Sequence, residues 1–193
     1  MLETFRSFFD PPITADPEQS TAKLAWVVRL RWVAITAQLL SIVPALEFQV
    51  LEPAMLPLFL AVVATLAMLN IGTWIGLRQG TKGSPGHLMV QLGADILGLS
   101  ALLILTGGAW NPMVPILLVH SVLGVLLLEG RLGLAFFGLL LVSLVIIQFN
   151  SHIPPGLESA LVPANILFPA QIVVVLVFWI LTVWLSSTLD NLK

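Results

Sequence analysis

The sequence predicts an all-α membrane protein, a six-transmembrane-helix bundle with both termini cytoplasmic. Three observations predict it. Of the 193 residues, 58% are hydrophobic and only 9% charged, with a mean hydropathy of +1.03, a mixture too apolar for a soluble domain. Apolar runs close to the roughly 20 residues that a helix needs to cross a bilayer recur along the chain. The alternation of a membrane barrel is absent, and inside lipid a helix satisfies its own backbone polar groups. Finally, the eight Lys and Arg residues all fall on one side of the predicted spans, which the positive-inside rule makes the cytoplasmic side.

The spans are 24–46, 54–77, 88–106, 113–128, 132–149 and 166–187. Arg6, Lys23, Arg29 and Arg31 precede or open the first, Arg78 and Lys82 follow the second, Arg131 follows the fourth and Lys193 the sixth. The outer loops then carry only Glu47, Glu52 and Glu158 as charges. Three segments result: a cytoplasmic N-terminal stretch 1–23, the membrane domain 24–187, and the start of a cytoplasmic linker helix 188–193.

The opening "MLETFRSFFDPPITADPEQS" is not a cleavable signal, because Asp10-Pro11-Pro12 breaks its short apolar cluster. Leu2, Phe5 and Phe9 line one face of a short interfacial helix, with a disordered tail as the alternative. In the first span, "WVVRLRWVAITAQ" places Trp26, Arg29, Arg31 and Trp32 at the inner boundary, where arginines reach lipid phosphates and indoles sit among headgroups. Gln38 lies deeper and is expected to hydrogen-bond to another helix. The second span ends in "NIGTWIGLRQG", with Asn70 and Thr73 as interhelical polar contacts. Gly72 and Gly76 there form a G-x-x-x-G spacing that predicts close packing, within the chain rather than between copies.

The third span, "LMVQLGADILGLSALLIL", holds Asp95, an acid well inside a predicted span. Such a carboxyl is protonated, paired or hydrated. Gln91, Asp95 and Gly98 share one helical face. His120, in "ILLVHSVLG" of the fourth span, comes to similar depth when both are counted from their inner ends. Asp95, His120 and Gln91 are therefore a candidate buried polar group. Its two readings are a proton-exchanging pair and a neutral hydrogen bond between helices. His87 and His152 belong to opposite surfaces, so no metal site is expected. With no cysteine, the chain has no disulfide or thiolate site. A net charge of −2 says little about partners, and no nucleic-acid partner is expected.

Between the third and fourth spans stands "TGGAWNPM". Gly107 or Gly108 ends the third helix in the left-handed conformation, Asn111 caps the fourth, Pro112 occupies its first turn and Trp110 sits at the interface. Free N–H groups at the start of helix four are available to a ligand carbonyl.

This stretch resembles a known element. "LTGGAWNPMVPILLVHSVLG" is similar to the Gly-Gly-x-x-Asn-Pro-Phe element in the membrane sensor region of RegB-type redox-sensing histidine kinases, and "RLRWVAITAQ" to the start of their first span. The resemblance covers about 24–187 as architecture, but its specific motif is about eight residues. It implies a bacterial inner-membrane, two-component signal-input domain that binds a quinone, ubiquinone or menaquinone, at Gly107, Gly108, Asn111 and Pro112. Trp110 and Met113 complete that candidate site, and Met113 replaces the family's Phe, so one aromatic face is missing. Also implied are a homodimer, a cytoplasmic kinase region and a response regulator as partners besides membrane lipids. No phosphoacceptor-His region or ATP-binding glycine motif occurs in these residues, so no catalysis is expected of them. The sequence reads as the sensor region of a longer kinase or a stand-alone relative. The rival classes are a small transporter or channel lined by Asp95, His120 and Gln91, and a ligand-free membrane scaffold.

Overall fold

The computed structural model describes residues 19–128 and 130–158, together with Val173 and Val177. The N-terminal stretch 1–18, the linker 188–193 and, apart from two helical positions, the sixth span 166–187 lie outside the described residues. The described chain is helical: α1 (Gln19–Glu47), α2 (Leu56–Arg78), α3 (Pro85–Leu105), α4 (Leu117–Leu127), α5 (Gly130–Phe149) and the single turn α6 (Pro155–Glu158). α1, α3 and α5 are long and apolar enough to cross a membrane, as is α2 with the 3-10 turn Pro53–Met55 that leads into it.

Local chemistry sets the helix ends. Pro44 lies in the last turns of α1, and Gln49 adopts a left-handed backbone two residues after its end. The α2 exit turns at Gly80, where the Thr81 N–H returns to the Gly76 carbonyl at 3.0 Å and closes a Schellman-like turn. Ser84 caps α3, its Oγ accepting the His87 N–H at 3.1 Å, with Pro85 in the first helical position.

The predicted fourth span 113–128 is helical from Val114 to Leu127, in two parts. Pro112 and Pro115 have no N–H to give, so the chain first makes a 3-10 turn, Val114–Ile116. The α-helix proper starts at Leu117 and has 11 residues, about 16 Å of rise to which the 3-10 turn adds about 6 Å.

α3 is the central helix, touching α1, α2, α4 and α5. One core cluster joins α1, α3 and α5 through Trp26, Leu88, Leu92, Ile96, Phe136 and Leu140. A second joins α1, α2 and the end of α3 through Ile35, Phe59, Val63 and Leu102. Close approach of α2 to α3 depends on Gly98, where an added Cβ would stand 2.7 Å from Leu66 Cδ1. The burial pattern is inverted relative to a soluble protein: Leu40, Met68, Leu134 and Phe149 are exposed, whereas Arg31, Asn70, Ser100 and Ser143 are buried. An apolar exterior around a polar-containing interior suggests a membrane protein.

Two packing expectations are corrected. Trp26 is buried in the core, not among headgroups, while Trp32 keeps an exposed position. Among the described residues, Gly72 and Gly76 do not pack against another helix. A Cβ on Gly72 would meet nothing within 4 Å, and one on Gly76 only the Thr81 side chain, at 3.6 Å.

Candidate functional site

Two places concentrate the polar side chains. The first lies between α1, α2 and α3. Residues 29 and 31 project about 200° apart on a helix, so when Arg29 faces outward Arg31 faces in, and it is only 3% exposed. Arg31 Nε donates to Asp95 Oδ1 at 2.6 Å and Nη2 to Oδ2 at 2.9 Å, a bidentate fork. Nη1 donates to Gln91 Oε1, and Nη2 also to the Gln91 carbonyl at 2.8 Å. Gln91 Nε2 then donates to Thr73 Oγ1 at 2.7 Å. Close by in sequence, Asn70 Nδ2 donates to the Val28 carbonyl at 3.0 Å and ties α2 to α1. The interhelical roles expected of Asn70 and Thr73 are thus present.

This arrangement corrects two readings. Arg31 is not a lipid-phosphate anchor but the buried partner of Asp95. A guanidinium left unpaired in lipid is far costlier than one clamped by a carboxylate and an amide. The pair expected between Asp95 and His120 is not formed: the carboxylate turns to Arg31, and His120 Nδ1 has no hydrogen-bond partner among the described residues. Gln38 departs from expectation too, since its Oε1 is buried without a hydrogen-bond partner among the described residues.

The second place is the 106–113 hairpin. Gly107 has φ +111° and Gly108 φ +63°, both in the region that favours glycine. Both also lie against the chain that leaves α5: a Cβ on Gly107 would come within 2.6 Å of Pro154 Cγ, and one on Gly108 within 2.7 Å of Ser151 Cα. The Ala109 N–H donates to Ser151 Oγ at 2.8 Å, and the His152 N–H to the Gly107 carbonyl at 3.4 Å. Ser151 in turn donates to the Ile147 carbonyl at 2.8 Å. The glycines therefore build a clasp between the α3–α4 turn and the end of α5.

Asn111 holds the clasp from inside. It is 7% exposed, its Nδ2 donates to the carbonyl and Oγ1 of Thr106, and its Oδ1 accepts the Met113 N–H at 2.8 Å. Thr106 Oγ1 passes its own proton to the Leu102 carbonyl at 2.7 Å. The cap predicted for Asn111 is corrected: neither the 3-10 turn Val114–Ile116 nor α4 has a side-chain cap, and the Asn111 oxygen instead closes a turn onto the Met113 N–H ahead of both.

The expectation of free N–H groups here is corrected. Between Pro112 and Leu117, the Met113 N–H goes to Asn111, Val114 to the Asn111 carbonyl, Ile116 to the Met113 carbonyl and Leu117 to the Val114 carbonyl, while Pro112 and Pro115 have none. Met113 packs against the cluster of Leu103, Leu117 and Ile147. Trp110, 57% exposed, is the large side chain the clasp leaves outward.

Sequence reasoning found the residues of the hairpin but missed Thr106 and Ser151. It missed Arg31 as a site residue, although the two-residue spacing of the arginines was the available signal. Among the described residues, no group of three or more His, Asp or Glu side chains is placed to hold a metal. Compared with family models, curated proteins and solved structures, the chain matches none.

Proposed function

We propose that this chain is the membrane-embedded signal-input domain of a two-component sensor histidine kinase. In this reading six helices cross a bacterial inner membrane with both ends cytoplasmic, and a quinone, ubiquinone or menaquinone, is sensed at the outer α3–α4 hairpin. The signal leaves through the sixth helix to a kinase region of a homodimer and from there to a response regulator. Phosphotransfer belongs to that region and not to these residues.

The observation that carries the reading is the clasp. The Gly107 carbonyl and the Ala109 N–H tie the turn to His152 and Ser151 at the end of α5, Asn111 braces it from inside through Thr106 and Met113, and the Trp110 indole is left outside. An indole face suits a flat ring, and its Nε1–H suits a carbonyl. Asn111 and the N–H groups up to Leu117 are already committed, so in this reading they position the indole and do not touch the ligand. A displacement of the turn moves α3, α4 and the α5 exit together, which gives a ligand with different affinities for two positions of the turn something to shift.

The test is to purify the chain in nanodiscs, extract and identify lipid-soluble quinone, and titrate ubiquinone against tryptophan fluorescence with a Trp110→Phe control. Saturable quenching lost in the control supports the reading. No retained quinone and no saturation sink it, and favour a transporter-like or scaffold role.

A further inference from the structure

We infer that the cleft between α2 and α3, at the opposite end of α3 from the hairpin, binds an anionic glycerophospholipid, with one acyl chain along Gly72 and Gly76 and the phosphate at Thr81 and His87. The inference does not rest on the quinone reading. The cleft has a volume of about 600 Å³, within the range of small-molecule sites. Its wall is low because Gly72 and Gly76 lack side chains, and among the described residues no neighbouring atom lies where a Cβ on Gly72 would reach. Beside it Met68 is 65% exposed, so the cleft opens on the lipid-facing side of the bundle.

Its polar lining is concentrated at one end. Thr81 and His87 lie at the helix ends and Thr73 and Gln91 one to two turns inside; toward the other end the one polar residue is Thr65, whose hydroxyl is given to the Ala61 carbonyl of its own helix at 2.8 Å, and the rest has no polar side chain. That gradient fits a molecule with a polar head and an apolar tail. Gln91 is six residues into α3, about 9 Å along its axis, near the depth of the boundary between headgroups and acyl chains. One N–H of its amide is given to Thr73, and an amide nitrogen has two. The second is available to an ester carbonyl.

The sign of the head follows from charge. Arg78 and Lys82 directly follow the lining residues Leu77 and Thr81, His87 is on the rim, and no Asp or Glu occurs in the chain between Glu52 and Asp95. The Arg78 guanidinium lies 3.9 Å from the centre of the Trp74 ring, the pairing of an indole and a cation expected at a headgroup layer. Asp95, the acid on α3 itself, is taken up by Arg31. Basic pockets between membrane helices are the recognised setting for anionic headgroups. Through Gln91 an occupant stands one side chain from the Arg31–Asp95 pair, so lipid occupancy and the α1–α3 clamp share an atom group.

The experiment uses the full chain in nanodiscs with a fluorophore on Met68→Cys, and a second preparation labelled at Val142→Cys on the exposed face of α5. Phospholipids with brominated acyl chains quench on contact. Brominated phosphatidylglycerol should half-quench the label at 68 at a mole fraction roughly fivefold or more below that of brominated phosphatidylcholine, about the effect of one surface cation. The label at 142 should respond to both lipids alike. Gly72→Leu, which puts a side chain into open space, should abolish the preference, Lys82→Gln should reduce it, and Trp110→Phe should leave it intact. Equal response at 68 to the two lipids, equal preference at both positions, or a preference that survives Gly72→Leu overturns the proposal. Should Gly72→Leu not fold, Gly72→Ala and Lys82→Gln decide in the same two directions.

Discussion

Arg31 and Asp95, 64 residues apart in the chain, form a bidentate ion pair between α1 and α3 with Nε to Oδ1 at 2.6 Å and Nη2 to Oδ2 at 2.9 Å. The pair is buried on the arginine side and 17% exposed on the carboxylate side. A charge in lipid is tolerated where it is paired and its other donors find acceptors, and Gln91 accepts two of the three N–H groups that Asp95 leaves.

Breaking this pair from one side should cost more than removing it whole. Asp95→Asn leaves a buried guanidinium without its counter-charge, and a loss of about 3–5 kcal/mol is expected. The double variant Arg31→Met/Asp95→Leu removes both charges and should recover most of that loss. Unfolding in a graded denaturing detergent, run as a double-mutant cycle, checks it. Additive losses would mean the two residues act separately.

The glycines should sort into two kinds. Gly107→Ala and Gly108→Ala force a Cβ into a left-handed backbone and against Pro154 or Ser151, and each should lower stability by about 1–3 kcal/mol. Gly72→Ala adds a Cβ to a helix interior with nothing near it among the described residues, and should be neutral or stabilise by about 0.5–1 kcal/mol. Thermal unfolding of the three variants distinguishes them; a destabilised Gly72→Ala would mean the face is packed after all.

The helices were legible because apolar length and turn residues state them directly. α3 and α5 lie within a few residues of the predicted 88–106 and 132–149. The 3-10 start of the fourth span was not legible, because hydropathy counts apolar residues, whereas Pro112 and Pro115 decide how many of them are α-helical. The pairing of Arg31 was hidden for another reason. A charge near a helix end reads as an anchor by depth alone, and only its angle around the helix tells whether it meets lipid or Asp95. In the hairpin, the motif was visible but its purpose was not, because Ser151 and Pro154, the surfaces that require the glycines, lie more than 40 residues downstream.

Gln91 links the ion pair to α2, and its loss should be felt on both sides. Gln91→Leu keeps the volume but leaves an Arg31 N–H and Thr73 Oγ1 without the partners they have now. A cost of about 1–3 kcal/mol is expected. Gln91→Glu retains the acceptor for Arg31 and should be milder than Gln91→Leu. The same detergent unfolding measures both, and an equal loss in the two would show that the hydrogen bond to Arg31 contributes nothing.

Asn111 and Trp110 sit side by side in the hairpin, yet their substitution should have opposite consequences. Asn111→Ala removes a side chain whose oxygen and nitrogen are both engaged with Thr106 and Met113, leaving a buried Thr106 carbonyl and the Met113 N–H unmatched. Stability should fall by about 1–3 kcal/mol, and any ligand response should fall with it, because the turn that carries the indole is no longer fixed. Trp110→Phe removes an outward indole that the fold does not enclose; stability should stay within about 0.5 kcal/mol of the parent while quinone quenching is lost. Measuring unfolding and quinone titration on both variants separates the residue that holds the turn from the one that meets the ligand. An Asn111→Ala variant of parental stability that no longer binds quinone would reverse the assignment and place Asn111 in direct contact with the ligand.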